Sequence, residues 1–149
     1  MPPDKQLEER VLSDCSEYLS NNLPADDIAP VMLTQNLMTP KEHDEYKTMK
    51  RSGRSTMADM SEYLLECLRR RQAGFLKKFC GILREIEAAK YLSDYIKTSY
   101  CEASLRGGEL AMCSYAARIL LAMDDVYLQE VVGKVELYDI VWNYSWPYE

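Results

Sequence analysis

MADMSEYLLECLRRRQAGFLKKFCGIL, residues 57–83, reads as two apolar helical stripes joined by a basic turn. Met57, Met60, Leu64, Cys67 and Leu68 recur at three- and four-residue steps, with Tyr63 and Leu65 flanking them. That is the period of a helix with one buried side, and the spacing predicts a helix from about Thr56 to Arg71, wide enough in its apolar stripe to be central. Gln72-Ala73-Gly74 breaks it. Phe75, Leu76, Phe79, Ile82, Leu83 and Ile86 then mark the next helix, with Phe79 and Leu83 facing inward.

Working outward, upstream Thr39-Pro40-Lys41-Glu42 carries the strongest local signal. Thr39 suits the cap, Pro40 the first helical position, and Glu42 closes a capping box three residues on. The short helix that follows, with Tyr46 and Met49 apolar, dissolves into the basic turn Lys50-Arg51-Ser52-Gly53-Arg54-Ser55. The first helix is expected after Pro2-Pro3, capped by Asp4, with Leu7, Val11, Leu12, Cys15, Tyr18 and Leu19 on one face. Asn21-Asn22-Leu23-Pro24 ends it, and Asp26-Asp27 opens a second with Ile28, Val31, Met32, Leu33 and Leu37 apolar. Pro30 fits only a first turn, so this second helix should be short or irregular at its start. Downstream, Tyr91, Leu92, Tyr95 and Ile96 centre a sixth helix ending near Thr98. Nothing before residue 98 alternates with period two over a strand's length. The expected fold is all-α: a six-helix antiparallel bundle over 5–98, with a helical, aromatic-rich extension at 99–149 packed on it or serving as a docking tail.

The bulk properties agree with one domain. At 149 residues and 47% apolar, the chain should hide roughly 70% of its unfolded surface without help from disulfides or metal. No apolar run approaches a span of about 18 residues, and MPPDKQLEER has no greasy signal segment, so the expectation is a soluble, cytoplasmic protein that enters no membrane. The net charge of -6 argues against nucleic acid as a partner. That charge is uneven: residues 1–40 hold 2 basic and 7 acidic side chains, 41–84 hold 11 and 6, and 98–149 hold 3 and 8.

Catalytic and cofactor chemistry finds little support. Cys15, Cys67, Cys80, Cys101 and Cys113 contain no C-x-x-C pair, and the first three fall at apolar helical positions, as packing thiols of a reducing compartment do. His43 sits in a charged turn beside Glu42, Asp44 and Glu45, with no oriented nucleophile suggested. No phosphate-cradling glycine motif occurs. Neither an enzyme, a metal site nor a cofactor is expected.

Charge organised by element is what stands out. Arg69, Arg70 and Arg71 end the fourth helix, where cations suit the negative end of the helix dipole. Three in succession point around the helix, more than capping needs, and with Arg51, Arg54, Lys77 and Lys78 they can form a basic patch. Opposite in sign are Glu8, Glu9, Asp14 and Glu17 of the first helix, Asp26 and Asp27 of the second, and Glu42, Asp44 and Glu45 of the third. A rigid body with unlike-charged regions can bind a copy of itself or a relative head-to-tail, and such a contact propagates. It requires guanidinium groups that are not tied up within their own molecule.

LEERVLSDCSEYL (7–19), DDIAPVMLTQNLMTPKEHDEY (26–46), residues 57–83 and YLSDYI (91–96) together resemble a caspase recruitment domain of the death-fold superfamily. The Leu37-to-Glu42 step resembles the family's "leucine, threonine, x, x, glutamate" entry to its third helix, although Pro40 follows the threonine here. Leu64-Leu65 with Leu68 resembles its fourth-helix leucines, and Phe79 with Leu83 its fifth-helix pair. The resemblance implies a six-helix death fold and homotypic binding in apoptotic or innate-immune signalling. It sets Arg69, Arg70 and Arg71 on the basic side against Asp26, Asp27, Glu42, Asp44 and Glu45. The first helix departs from the pattern, with only Lys5 and Arg10 basic among four acids, so the basic face is shifted toward Lys77 and Lys78 or weakened.

Residues 99–149 match nothing in that family. Tyr138, Trp142 and Trp146 are candidates for docking a partner or folding back over the bundle to hold it in an autoinhibited or decoy form. Tyr138-Asp139-Ile140-Val141 also has the form of a phosphotyrosine docking site, though aromatic packing explains it as well. The competing function is a structural or regulatory helical subunit that binds an unrelated protein through this aromatic segment.

Overall fold

A computed structural model describes residues 5–106, so the candidate docking residues Tyr138, Trp142 and Trp146, and the cap expected of Asp4, lie outside the described residues. Six α-helices follow in order: α1 (Lys5–Asn22), α2 (Ala25–Thr34), α3 (Pro40–Ser52), α4 (Met57–Arg69), α5 (Phe75–Glu85) and α6 (Lys90–Arg106), with a 3-10 turn at Glu87–Ala89 before α6. No strand occurs among the described residues, and the all-α six-helix bundle is broadly consistent with death-fold-like topologies.

Local chemistry explains the boundaries. The Thr39 hydroxyl accepts from the Glu42 amide at 3.1 Å while the Thr39 amide donates to Glu42 Oε1 at 2.8 Å, the reciprocal box expected at the start of α3. Thr56 and Asp59 repeat it at the start of α4. Gly53 closes α3 in the left-handed region, at φ 67°, where a Cβ would be strained.

The core runs through every helix. Leu12, Leu19, Met32, Leu64, Leu68, Phe75, Phe79 and Leu83 are all shut off from solvent, and α1 packs chiefly on α4 and α6, with α5 against α6. Cys15, Cys67, Cys80 and Cys101 are buried and none is in a disulfide. Burial, reinforced by the nearby Glu42 carboxylate, pushes the Cys67 thiol up to about 12, so it packs as a neutral hydrophobe.

Several expectations need correction. Pro30 lies inside α2 and not in its first turn; its missing amide is tolerated because it is on the exposed side of a ten-residue helix whose Ile28, Ala29 and Met32 are buried. Helix α6 does not stop near Thr98 but continues to Arg106, held by the burial of Tyr100, Cys101, Ala103 and Ser104. Met57, expected in the central stripe, is 56% exposed at the first turn of α4. Tyr18 and Tyr95 lie at the rim, stacked on each other with ring centroids 4.4 Å apart.

Candidate functional site

The turn from α4 to α5, Arg70 to Gly74, is where chemistry converges. It carries the carbonyl end of one helix and the amide end of the next, so it gathers unpaired acceptors and donors at one place. Helix α1 supplies an answer to each. Lys5 Nζ donates to the carbonyls of Arg69, at 2.9 Å, and Arg71, and sits 4.6 Å from the centroid of the Phe75 ring. One turn on, Glu8 accepts from the amides of Gly74 at 2.7 Å and Leu76 at 2.9 Å. Glu8 is fully buried, so the surface acid expected from the sequence is an internal cap for α5. The signal was present: Glu8 stands four, seven and eleven residues before Leu12, Cys15 and Leu19, on their own apolar face.

Glu42 of α3 holds the turn from the other side. Its Oε2 accepts from Arg70 Nη1 at 3.0 Å, and Arg71 Nη2 lies 3.1 Å from Oε1 and 3.2 Å from Oε2. The carboxylate is only 7% exposed, while Arg70 stays 53% exposed and Arg71 19%. Desolvation pushes the Glu42 pKa up, yet the Thr39 amide, Arg70 and Arg71 outweigh it and hold the group below the ordinary carboxylate value. Glu42 therefore faces two arginines of its own molecule and not the outside. Arg69 is likewise paired, with Glu66 one turn earlier, so all three arginines of the run are engaged within their own molecule and do not meet the requirement that a head-to-tail contact through the fourth-helix guanidinium groups sets.

The other basic candidates divide between two places. Lys78 is exposed and Lys77 half-buried, both in the first turn of α5 beside the arginines. Arg51 and Arg54 are exposed at the opposite end of α4, about 20 Å away at 1.5 Å of rise per residue over its 13 residues. Two adjoining clefts open around the first group. One, of about 420 Å³, is lined by Arg70, Arg71, Lys78, Asn36 and Gln72 among others; the second, of about 300 Å³, by Lys77, Lys78 and Arg84. Asn36 itself turns the α2–α3 loop in the left-handed region, at φ 63°. Arg84, on the outer side of α5, was not singled out in the sequence, since a single arginine on an exposed helix face gives no signal.

The acidic candidates other than Glu42 cluster on α2 and α3. Asp26 accepts from the Tyr46 hydroxyl at 2.8 Å and lies 3.3 Å from Lys50 Nζ, and these hold its carboxyl below its usual value. Asp44 pairs with Lys47 at 3.6 Å, and Glu45 accepts from the Tyr63 hydroxyl at 2.5 Å. Asp27, Asp44 and Glu45 remain exposed. His43 lies half-buried in the first turn of α3 and lines neither cleft. Among the described residues no group of three or more His, Cys, Asp or Glu is placed to hold a metal ion, and no helix is long and apolar enough to cross a membrane.

The all-helical shape is consistent with a non-catalytic interaction module. Compared with known protein families, curated proteins and solved structures, the chain matches none.

Proposed function

We propose that the chain is a non-enzymatic adaptor or regulator that acts as a caspase-recruitment-domain-like module, its basic α4–α5 surface meeting the acidic α2–α3 surface of a second such domain or of another copy. The observation that carries the reading is the group of exposed cations beside the α4–α5 turn, Lys78 and Arg84 with the outer half of Arg70, while the exposed Asp27, Asp44 and Glu45 of α2 and α3 stand among the exposed Lys41, Lys47 and Lys50. Glu42 is left out of the contacting surface because its oxygens serve Arg70 and Arg71. Two unlike surfaces on one body give a heterologous contact, which steers encounter electrostatically and extends into chains. The setting is apoptotic or innate-immune signalling in the cytoplasm, and it needs no cofactor, nucleic acid or membrane.

The test uses the full chain in light scattering and in affinity capture with a caspase recruitment domain. Lys78→Glu and Asp27→Lys should each lose association, and mixing the two variants should restore it, because the altered faces are again opposite in sign. Unchanged association in both variants refutes the reading. Capture of an unrelated protein that ignores recruitment domains and depends on residues 134–149 establishes the competing function instead.

A further inference from the structure

We infer that the two clefts beside α5 form a binding site for a small polyphosphate, a linear anion with several adjacent phosphate groups. Together they are lined by five cations, Arg70, Arg71, Lys77, Lys78 and Arg84, against the lining carboxylate of Glu85 and that of Glu42, paired behind the two arginines, which leaves a net positive site in a chain whose net charge is -6. Lys78 lines both clefts, so the basic lining is continuous from one to the next. A single phosphate has no use for two cavities in series; a chain of phosphates does.

The arginines are also organised for the task. Glu42, buried behind them, fixes Arg70 through Nη1 at 3.0 Å while leaving half of its side chain open to solvent. A guanidinium held from behind by a carboxylate loses less freedom when it grips an anion in front, which is the usual benefit of a supported binding group. The Asn36 and Gln72 side chains add neutral amide donors to the larger cleft. At about 420 and 300 Å³, open to solvent on one side, the clefts give room for a short hydrated anion. The α5 amides of Gly74 and Leu76 play no part, being already taken by Glu8.

This site shares residues with the proposed protein interface but does not rest on it, since a dilute monomer suffices to bind the probe. The experiment is isothermal titration of the full chain with sodium tripolyphosphate at fixed ionic strength, with sodium sulfate as the comparison anion. Amide chemical shifts of Asn36, Gln72 and Gly74 are followed in parallel. One-to-one binding of tripolyphosphate, stronger than sulfate and shifting those amides, is the expected result. Lys78→Glu with Arg84→Glu should weaken it by about tenfold or more, the loss of about 1.4 kcal/mol or more. Both side chains are exposed, and circular dichroism of the variant checks its fold. Tripolyphosphate binding no better than sulfate, or equal binding by the folded double variant, overturns the inference. Failure of both self-association and capture of a recruitment domain, with tripolyphosphate binding intact, removes the domain–domain reading and leaves this one standing.

Discussion

Replacing Glu8 tests whether the α4–α5 turn is built from α1. In Glu8→Ala the amides of Gly74 and Leu76 lose acceptors at 2.7 and 2.9 Å, the Leu76 amide in a place shut off from solvent and the half-buried Gly74 amide beside the larger cleft. Each is a hydrogen bond to a charged group, worth about 1.5–3 kcal/mol, and an uncompensated donor at a buried helix start forfeits the full amount. Two such bonds sum to about 3–6 kcal/mol, and the one methylene removed from a buried side chain adds to the loss. Glu8→Gln keeps one carbonyl oxygen but turns an amide donor toward the second N–H, so its cost should fall between the wild type and Glu8→Ala. Urea denaturation followed by circular dichroism measures both, and against a total of about 5–15 kcal/mol the alanine variant is expected to be folded but much weakened. The thermal midpoint should drop by at least about 9 °C at about 3 °C per kcal/mol. A Glu8→Ala protein within about 1 kcal/mol of wild type, with the same dependence on urea, refutes the claim that this carboxylate caps α5.

The remaining expectations follow from the same geometry. Glu42→Gln should destabilise by about 1.5–3 kcal/mol at neutral pH, because Arg70 and Arg71 lose their shared anion. Since the folded-state pKa of Glu42 is depressed, its contribution is present above the ordinary value of 4.5 and is lost as pH falls through the depressed one; the wild type and Glu42→Gln denaturation curves should therefore converge on acidification, and a constant gap down to strong acid contradicts the ion pairing. Thr39→Ala removes one half of the box at α3 and should cost about 1 kcal/mol, read from the same urea curves. Phe79→Ala empties a fully buried site under α5 and should cost about 3–5 kcal/mol, with a value under 1 kcal/mol excluding the described core. Removing residues from 107 onward leaves α6 intact, whereas a cut at 98 strips buried Tyr100 and Cys101; only the shorter product should lose helical content beyond the deleted length.

What the sequence disclosed was governed by short-range rules. The box at Thr39 and Glu42 depends on residues three apart, and the stripes of α4 and α5 on the helical period, so both were legible without knowing the neighbours. Elsewhere a tertiary contact decided the matter. Tyr18 and Tyr95 look like core residues by period, but each finds its apolar partner in the other's ring at the rim. The end of α6 was hidden because Thr98, Ser99 and Ser104 have modest helix propensity, which the burial of Tyr100, Cys101 and Ala103 overrides. The site was legible in half: the arginine run and the two lysines were visible, while their internal anion, Glu42, and the buried caps from Lys5 and Glu8 join residues more than 25 positions apart.

That division separates two duties within one basic cluster. Arg71, largely buried against Glu42, and Lys5, bonded to the α4 carbonyls, hold the helices in place. Lys78 and Arg84 are exposed on α5; Lys78 stabilises no helix end, whereas Arg84 lies in the last turn of α5, where its charge suits the carbonyl end of the helix. Arg70 belongs to both sets, with one nitrogen on a buried carboxylate and half its side chain in solvent. A charge reversal there sets a second carboxylate beside Glu42 and damages fold and surface together, so loss of binding in Arg70→Glu says nothing about contact by itself. The lysine carries no such ambiguity, and for Arg84 the fold check by circular dichroism separates the helix end from the surface. A surface whose positive charge is partly anchored from within keeps a fixed shape toward its partner, but the anchoring Glu42 cancels one of the two guanidinium charges, so the outward field near the turn rests on Lys78 and Arg84 more than on the arginine run.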